Sequence, residues 1–217
     1  MSLKNVFFKA FRRNRTLICV LLLICVILLV FQCKEREKGN FDRSKSVNWD
    51  KSVNCLDVLN KRLSIIVPFR ERFNQLLFFV PHMDNFLGRQ KICYEFFIMN
   101  QVDKFRFNRG QLINIGYRLS SKNSDYIAIH DVDLLPLNDQ LSYTYPHEGV
   151  FHVSSPQLHP KYHYDKFIGG IVLIQNKDFV KIDGFSNNYW GWGLEDDEFY
   201  TRLMDAGIKV SFFSFFF

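Results

Sequence analysis

Two acidic motifs in this chain have the residue types and the setting of a site for chemistry on a phosphorylated, sugar-like substrate. The sequence YWGWGLEDDE at residues 189–198 places two tryptophans and two glycines directly before four acids. The sequence HDVD at residues 130–133 follows the apolar run at 126–129. Carboxylates bind divalent cations or act as general bases, indole faces stack on sugars, and glycines let the backbone approach a ligand. The two motifs together predict a metal-assisted enzyme.

Asp131 and Asp133 supply hard oxygen ligands two residues apart. Such ligands suit Mn²⁺ or Mg²⁺, with phosphate oxygens and water in the remaining positions. A solvated turn is the alternative, since Asp-x-Asp is frequent in turns, but placement after a buried strand favours the metal. An EF-hand fits poorly, because Leu135 and Pro136 occupy the positions that would need a ligand and the obligatory glycine.

The acids at 195–198 have a simpler explanation as well, because the dipole of a helix favours negative charge in its first turn. Trp190 and Trp192 could likewise be ordinary core residues. That explanation does not require glycines and indoles directly before the acids. We therefore expect one of these carboxylates to act as a general base that takes a proton from a sugar hydroxyl.

Arginines occur in PFRER at residues 68–72 and in FNRG at 107–110. Both segments stand at the ends of predicted elements, where a guanidinium can make bidentate contact with a diphosphate. Each of these arginines could instead be a surface charge. Tyr162 and Tyr164 could wall a sugar pocket, whereas the histidines at 150–163 are individually more typical of loop or core positions.

Alternating strand and helix patterns must position these motifs. Short apolar runs predict strands at 63–67, 92–99, 126–129 and 171–174. Apolar spacing predicts helices at 71–87, 110–119 and about 194–206. The alternation predicts an α/β fold with a parallel sheet covered on both faces and a ligand site beyond the carboxyl ends of its strands.

The net charge of +6 belongs to the N-terminal segment, because residues 39–217 carry equal numbers of acidic and basic residues. A nucleic-acid binder should carry its positive charge on the folded domain, so no nucleic acid is expected as a partner. The run at 17–31 holds fifteen apolar residues and follows a basic segment. This pattern predicts a membrane anchor with the N-terminus in the cytosol. A cleaved signal peptide is less suitable, since no small-x-small pattern follows Phe31.

These features divide the chain into a cytosolic basic tail at 1–16, a transmembrane signal anchor at 17–33, a stem at 34–54 and a lumenal domain at 55–217. The stem is charged and polar. In an oxidising lumen a disulfide between Cys55 and Cys93 is permitted, and a buried free thiol at Cys93 is the alternative.

The motifs PFRER, FNR, DVD and WGWGLEDD occur in the order typical of β-1,4-galactosyltransferases, and the chain resembles that family over about residues 62–210. Glu71 and the sequence HPKYHY at 159–164 resemble the branch that galactosylates xylose on proteoglycan core proteins. The resemblance implies a GT-A-type, Rossmann-like nucleotide-sugar transferase domain behind an N-terminal transmembrane helix in the Golgi membrane. It also implies UDP-galactose as donor, Mn²⁺ as cofactor, and inversion by direct displacement.

The resemblance further implies roles for individual residues. Asp196 would be the general base toward xylose O4, and Asp133 would be the metal ligand. The donor would be bound by Pro68, Phe69, Arg70, Arg72, Phe107, Arg109, Asp131, Val132, Trp192 and Glu195. The acceptor would be contacted by Tyr162, Tyr164 and Asp197.

The sequence departs from the family pattern in two places. A His-x-His expected beyond the catalytic helix is missing before Phe217, so we expect a domain truncated at its C-terminus and a weakened or inactive chain. The metal would then be held by Asp133, nucleotide and water. Phe167 stands where a tyrosine often precedes the Gly-Gly pair. A non-catalytic sugar- or nucleotide-binding fragment and a transferase acting on N-acetylglucosamine remain the alternatives.

Overall fold

The computed structural model describes residues 61–213. The expected tail, anchor and stem at 1–16, 17–33 and 34–54 lie outside the described residues, so the fold does not test them. Within residues 61–213 no helix is long and apolar enough to cross a membrane.

The described residues form an α/β domain whose elements alternate through the first half of the chain. In order they are β1 Arg62–Phe69, α1 Phe73–Arg89, β2 Cys93–Asn100, α2 Arg109–Ser120, β3 Tyr126–His130, β4 Val150–His152, β5 Ile171–Gln175, α3 Asn176–Lys181, α4 Glu195–Asp205 and β6 Val210–Phe212. The strands and helices expected from the apolar patterns are all present, whereas β4, α3 and β6 were not foreseen.

The strands form one mixed sheet in the order β2-β1-β3-β5-β4-β6. Strand β1 is parallel to both β2 and β3, but β5 runs antiparallel to β3 and to β4. The expectation of a fully parallel sheet was therefore wrong in the second half. A parallel neighbour for β3 needs a crossover connection, usually a helix, and no helix forms between β3 and β5.

Both faces of the sheet are covered, as expected. On β1 the side chains of Ile65 and Val67 pack in a cluster with Phe79 and Met83 of α1. The intervening Ile66 belongs to a second cluster on the opposite face, which includes residues of α2 and α4. Successive side chains of a strand point to opposite faces, so one buried strand serves two layers of core.

Strand ends bring the sequence motifs together. Residues 68–72 begin at the end of β1, and residues 131–133 follow β3 directly. Because β1 and β3 are adjacent and parallel, these two segments leave the sheet at the same edge. The segment at 107–110 meets this edge as the start of α2.

Cys93 at the start of β2 is disulfide-bonded, so the free-thiol alternative does not hold. The other cysteines, Cys55 among them, lie outside the described residues, so the pairing of Cys93 with Cys55 stays a prediction.

The close packing of α2 on the sheet predicts that Gly116 does not tolerate a side chain. A Cβ at Gly116 would lie 2.5 Å from Cγ2 of Ile66 and 3.1 Å from Cγ of Met99, whereas a Cβ at Gly88 of α1 would meet nothing within 4 Å. We expect Gly116→Ala to lower the free energy of unfolding by roughly 1–3 kcal/mol through overpacking. Gly88→Ala is the matched control and should raise it by up to about 1 kcal/mol through helix propensity. Urea unfolding measures both, and equal gains for the two variants would contradict the packing.

Candidate functional site

A cavity of about 740 Å³ lies where β1 and β3 end, and both acidic motifs contribute to its wall. The residues that were assigned to the site from sequence and that line it are Pro68, Arg70, Arg72, Phe107, Arg109, Asp131, Val132, Asp133, Tyr162, Tyr164, Trp192, Glu195, Asp196 and Asp197. Segments far apart in the chain therefore meet in one cavity.

Phe69 is the one assigned residue that the structure does not bring to the cavity wall. Its side chain is buried in the core and packs edge-to-face on the ring of Phe73, with 5.1 Å between centroids. Strand alternation turns this side chain into the core layer, so the expected contact of Phe69 with the donor stays a prediction.

The guanidinium of Arg109 joins the two acidic motifs. Its Nε donates to Oδ1 of Asp131 over 3.1 Å, and its Nη1 donates to Oδ1 of Asp196 over 2.6 Å. The arginine side chain is only 10% exposed. Burial acts to lower the pKa of Arg109, but the surrounding carboxylates, Asp131 first, raise it above its ordinary value. Arg109 is therefore a fixed positive charge inside the cavity.

Asp196 has the acid–base properties of a candidate general base. Burial raises the pKa of its carboxyl group to about 6, partly offset by Arg109, while Glu195 and Asp131 raise it further. Such a group is ionised at neutral pH and still binds a proton more strongly than an exposed carboxylate. A general base works best with a pKa near the working pH, so the environment suits Asp196 to proton abstraction.

Three buried polar atoms of lining residues have no hydrogen-bond partner within the described residues. They are Nε of Arg70, Nη2 of Arg109 and Oε2 of Glu195. Buried polar groups in native proteins are almost always satisfied, so each such atom calls for an explanation. A polar ligand in the cavity would provide one, with acceptors facing Arg70 and Arg109 and a donor facing Glu195.

Arg70 and Arg72 both line the cavity, but the guanidinium of Arg70 is held by hydrogen bonds and that of Arg72 is not. Both terminal nitrogens of Arg70 donate to the carbonyl oxygen of Phe105, and its guanidinium lies over the ring of Phe107. Arg72 is more than half exposed and faces Oδ2 of Asp133 at 3.6 Å, beyond a good hydrogen bond. Arg70 thus shapes the wall, whereas Arg72 and Asp133 are available to a ligand.

The described residues contain no group of three or more His, Cys, Asp or Glu side chains arranged to hold a metal ion. Of the two carboxylates that follow β3, Asp131 is engaged by Arg109, which leaves Asp133 as the available hard ligand of this pair. One carboxylate completed by phosphate oxygens and water is a donor set that Mg²⁺ or Mn²⁺ accepts. The residues present therefore fit a cation that arrives with a phosphorylated ligand.

Aromatic rings form part of the cavity wall. The ring of Tyr162 lies 6.1 Å from Trp192 and 5.3 Å from Phe167, and Tyr164 lies 5.6 Å from Phe167. The hydroxyl of Tyr164 donates to Oδ1 of Asp197 over 3.0 Å. Burial first, and then Asp197, raises the pKa of Tyr164 to about 12. A wall of rings with a carboxylate at its edge is a suitable surface for a sugar.

The backbone before α4 explains the glycines of the second motif. Gly191, Gly193 and Leu194 all have positive φ, at 104°, 102° and 73°. Leu194 is the residue preceding the first turn of α4, and a left-handed leucine is unfavourable by about 1–2 kcal/mol. Strain of this kind concentrates at functional sites. Of the four acids, Glu198 pairs with Arg202 along the helix and is not among the residues that line the cavity.

Several lining residues were not assigned to the site from sequence, among them His159 and Phe167. Nδ1 of His159 accepts from the backbone N–H groups of Lys161 and Tyr162, which fixes the turn that carries the tyrosines. His130 is buried before Asp131, and burial lowers its pKa to about 4. The sequence HPKYHY offered a signal for His159, but a lone histidine does not reveal whether it fixes a turn or binds a ligand.

Comparison with known proteins places these features in a family. A family model described as the N-terminal region of glycosyl transferase group 7 matches residues 31–146. A second, described as the N-terminal domain of galactosyltransferase, matches residues 149–216. The chain belongs to the group 7 glycosyltransferase family. The resemblance inferred from the motifs is thereby confirmed.

Several group 7 relatives are close in sequence. β-1,4-Galactosyltransferase 7 of Drosophila melanogaster is 57% identical over 151 residues, which cover 69% of this chain and 47% of the relative. Xylosylprotein 4-beta-galactosyltransferase of Caenorhabditis elegans is 49% identical over 152 residues, covering 69% of this chain and 53% of the relative. The chain thus spans about half the length of these curated relatives.

A solved group 7 structure supports the fold. The crystal structure of a Drosophila β-1,4-galactosyltransferase 7 variant in complex with manganese, UDP-Gal and xylobiose is 56% identical. It matches with a TM-score of 0.69 over 70% of this chain and 64% of its own. The domain is therefore a mixed α/β, GT-A-like glycosyltransferase fold.

The raised pKa of Asp196 predicts a pH-dependent effect of Asp196→Asn on stability. A folded-state pKa of about 6 lies above that of an unfolded aspartate, near about 4. The stability contributed by this group is therefore fully present below about pH 4 and lost as the pH rises through about 6. Because asparagine stays neutral, the variant should gain on the order of 1–3 kcal/mol at about pH 7.5 and almost nothing at about pH 4.

Urea unfolding at the two pH values measures this difference. Asp205→Asn removes an exposed carboxylate from the same helix, so it is the control and should change the free energy of unfolding by no more than about 0.5 kcal/mol. A variant at Asp196 that is less stable than the wild-type chain at both pH values would contradict the assigned environment.

Proposed function

We propose that this chain transfers galactose from UDP-galactose, in β-1,4 linkage and with inversion, to xylose on proteoglycan core proteins. The observation that carries the proposal is the contact of Arg109 with both Asp131 and Asp196. This contact puts a carboxylate that was assigned to donor binding and a candidate general base in one cavity. Relatives named β-1,4-galactosyltransferase 7 and xylosylprotein 4-beta-galactosyltransferase support the choice of donor and acceptor.

The donor would lie along the arginine side of the cavity. Arg70, Arg72 and Arg109 are the lining residues that carry full positive charge, and a diphosphate is the anion that such a group of guanidiniums suits. The unpartnered Nη2 of Arg109 would donate to an oxygen of the donor. The unpartnered Oε2 of Glu195 would accept a hydrogen bond from a galactose hydroxyl.

The acceptor would lie between the aromatic wall and Asp196. As the xylose O4 forms its bond to the anomeric carbon, UDP departs with the electron pair of the bond that breaks, and Asp196 accepts the O4 proton. Approach from the face opposite the leaving group inverts the anomeric centre. Tyr162, Tyr164 and Phe167 limit the access of water, which would otherwise compete as acceptor.

Mn²⁺ is the proposed cofactor, and Asp133 is the residue that would hold it together with the diphosphate. When bound, the ion would offset the negative charge of the departing diphosphate. The exposed position of Asp133 and its loose contact with Arg72 suit a ligand that is recruited with the donor.

We also propose that residues 17–33 anchor the chain in the Golgi membrane as a type II protein, with residues 55–217 in the lumen. The uninterrupted apolar run and the basic residues before it support this arrangement. UDP-galactose and xylosylated core protein would then meet the domain on the lumenal side.

Galactose transfer to a simple xyloside tests the proposed reaction. The full chain would be incubated with UDP-galactose, Mn²⁺ and the xyloside, and the product identified by mass spectrometry. Asp196→Asn should lower kcat by about 10²–10⁴-fold, because the O4 proton loses its acceptor, while the Kd for UDP stays within about twofold. Asp205→Asn is the matched control on the same helix and should be active.

Each other outcome has a definite meaning. Undiminished turnover in Asp196→Asn would remove Asp196 from the role of base. UDP binding without any transfer by the wild-type chain would favour a non-catalytic fragment. Faster transfer to N-acetylglucosamine than to the xyloside in direct competition would favour that acceptor instead.

A second substitution tests the metal assignment. Asp133→Ala should weaken Mn²⁺-dependent UDP binding by about tenfold or more, because the ion loses its protein ligand. Asp139→Ala removes a carboxylate that pairs with Arg89 away from the cavity and should leave this binding unchanged. Isothermal titration with UDP, with and without Mn²⁺, makes the comparison. An unchanged metal dependence in Asp133→Ala would exclude Asp133 as the ligand.

A further inference from the structure

The carboxylate of Asp196 lies against main chain on the side away from Arg109. A Cβ built at Gly169 would lie 2.5 Å from Oδ2 of Asp196 and 2.7 Å from a ring carbon of Phe167. Neither contact is possible for a real side chain. The backbone at residue 169 is thus a wall against which the carboxylate rests, and glycine is the residue that leaves room for it.

Two buried side chains fix this wall. Nε2 of His152 donates to the carbonyl oxygen of Gly169 over 2.8 Å, and the hydroxyl of Ser154 donates to the same oxygen over 2.9 Å. The hydroxyl oxygen of Ser154 also accepts from the backbone N–H of Ile171 over 2.7 Å. Both side chains are buried, so these bonds are shielded from water.

The protonation state of His152 follows from its partner. A carbonyl oxygen can only accept, so Nε2 must carry the proton. Burial lowers the pKa of His152 to about 4, which keeps the ring neutral in the physiological range. Strand β5 begins only at Ile171, so its hydrogen-bond ladder does not hold the peptide at Gly169. The two side-chain donors that converge on the carbonyl oxygen of Gly169 hold that peptide instead.

We propose that His152, Ser154 and Gly169 are positioning residues, which hold the carboxylate of Asp196 against the acceptor by fixing the backbone behind it. Arg109 fixes Oδ1 of Asp196 from one side, and the wall at Gly169 limits Oδ2 from the other. None of the three touches the sugar in this arrangement. The inference rests on the proposed function, because it gives Asp196 the role of base.

Gly169→Ala tests the wall directly. The added methyl group must displace the carboxylate, and misplacing a catalytic group by about an ångström lowers the rate by up to about 10²-fold. We therefore expect kcat for transfer to the xyloside to fall by about 10–100-fold while the Kd for UDP stays within about twofold. Gly88→Ala is the matched control, since its Cβ meets nothing within 4 Å and α1 is outside the cavity wall.

His152 offers a test by conservative replacement. His152→Gln keeps an amide nitrogen that can donate to the carbonyl oxygen of Gly169, whereas His152→Leu does not. The leucine variant should lose about tenfold in kcat, and the glutamine variant should recover most of that loss, with UDP affinity unchanged in both. Equal losses in both variants, or losses in kcat, UDP affinity and Tm that run in parallel, would show that His152 only supports the fold.

A measurement without turnover separates this inference from the proposed reaction. The carboxyl carbon of Asp196 can be followed by NMR in ¹³C-labelled chain from about pH 4 to about pH 8, with Asp196→Asn giving the assignment. Gly169→Ala should change the titration midpoint of this resonance by at least about half a pH unit, and Gly88→Ala should not. An unchanged midpoint would overturn the positioning role, even if the wild-type chain transfers galactose. Absence of transfer with a changed midpoint would overturn only the proposed reaction.

Discussion

The contact of Arg109 with two carboxylates is the interaction on which the rest of the site depends. Asp131, Glu195 and Asp196 lie close together in a partly dry cavity, and like charges in such a place repel strongly. One buried guanidinium offsets this repulsion, and it lowers the pKa of Asp196, which burial raises. Its position is fixed by the residue before it, because Asn108 caps α2 through the N–H of Gln111 and also donates to the carbonyl oxygen of Asn187. The start of α2 is thereby fastened to the segment that precedes α4.

The antiparallel direction of β5 brings the two glycines that precede it, Gly169 and Gly170, to this contact. Because β5 runs against β3, its first residue, Ile171, pairs with the last residue of β3, His130. The N–H of Asp131 consequently donates to the carbonyl oxygen of Gly170 over 3.0 Å. A parallel β5 would have placed the two glycines at the far edge of the sheet. The departure from a fully parallel sheet is therefore what puts the Gly169 wall next to the acidic motifs.

The sequence predicts those parts of the fold that carry a periodic pattern over several turns or a full strand. The patterns behind β1, α1, β2 and α2 are long enough to show their period, whereas β4 and β6 have three residues each. The direction of β5 is not encoded locally, since the apolar run at 171–174 would suit either orientation. For the site, motif chemistry predicted the charged lining residues, but it did not show that the alternation of β1 turns the side chain of Phe69 into the core. His152 and Ser154 carry no sequence signal, because a buried histidine and a buried serine look alike whether they support a strand or a site.

The site has a built half, whose residues are buried and held by the fold, and an open half, whose residues are exposed. Arg109, Glu195 and Asp196 are held by the fold before any ligand arrives, since their contacts come from helix starts, strand ends and the Gly169 backbone. Arg72, Asp133 and Trp192 are each more than half exposed and make few contacts. Binding energy from a charged nucleotide sugar would be gained mainly on the open half, whereas the base must already be placed when the acceptor enters. A base that is already in place avoids reorganisation at the moment of proton transfer. This advantage is the reason that the fold keeps a buried carboxylate although the ionisation of that carboxylate lowers stability.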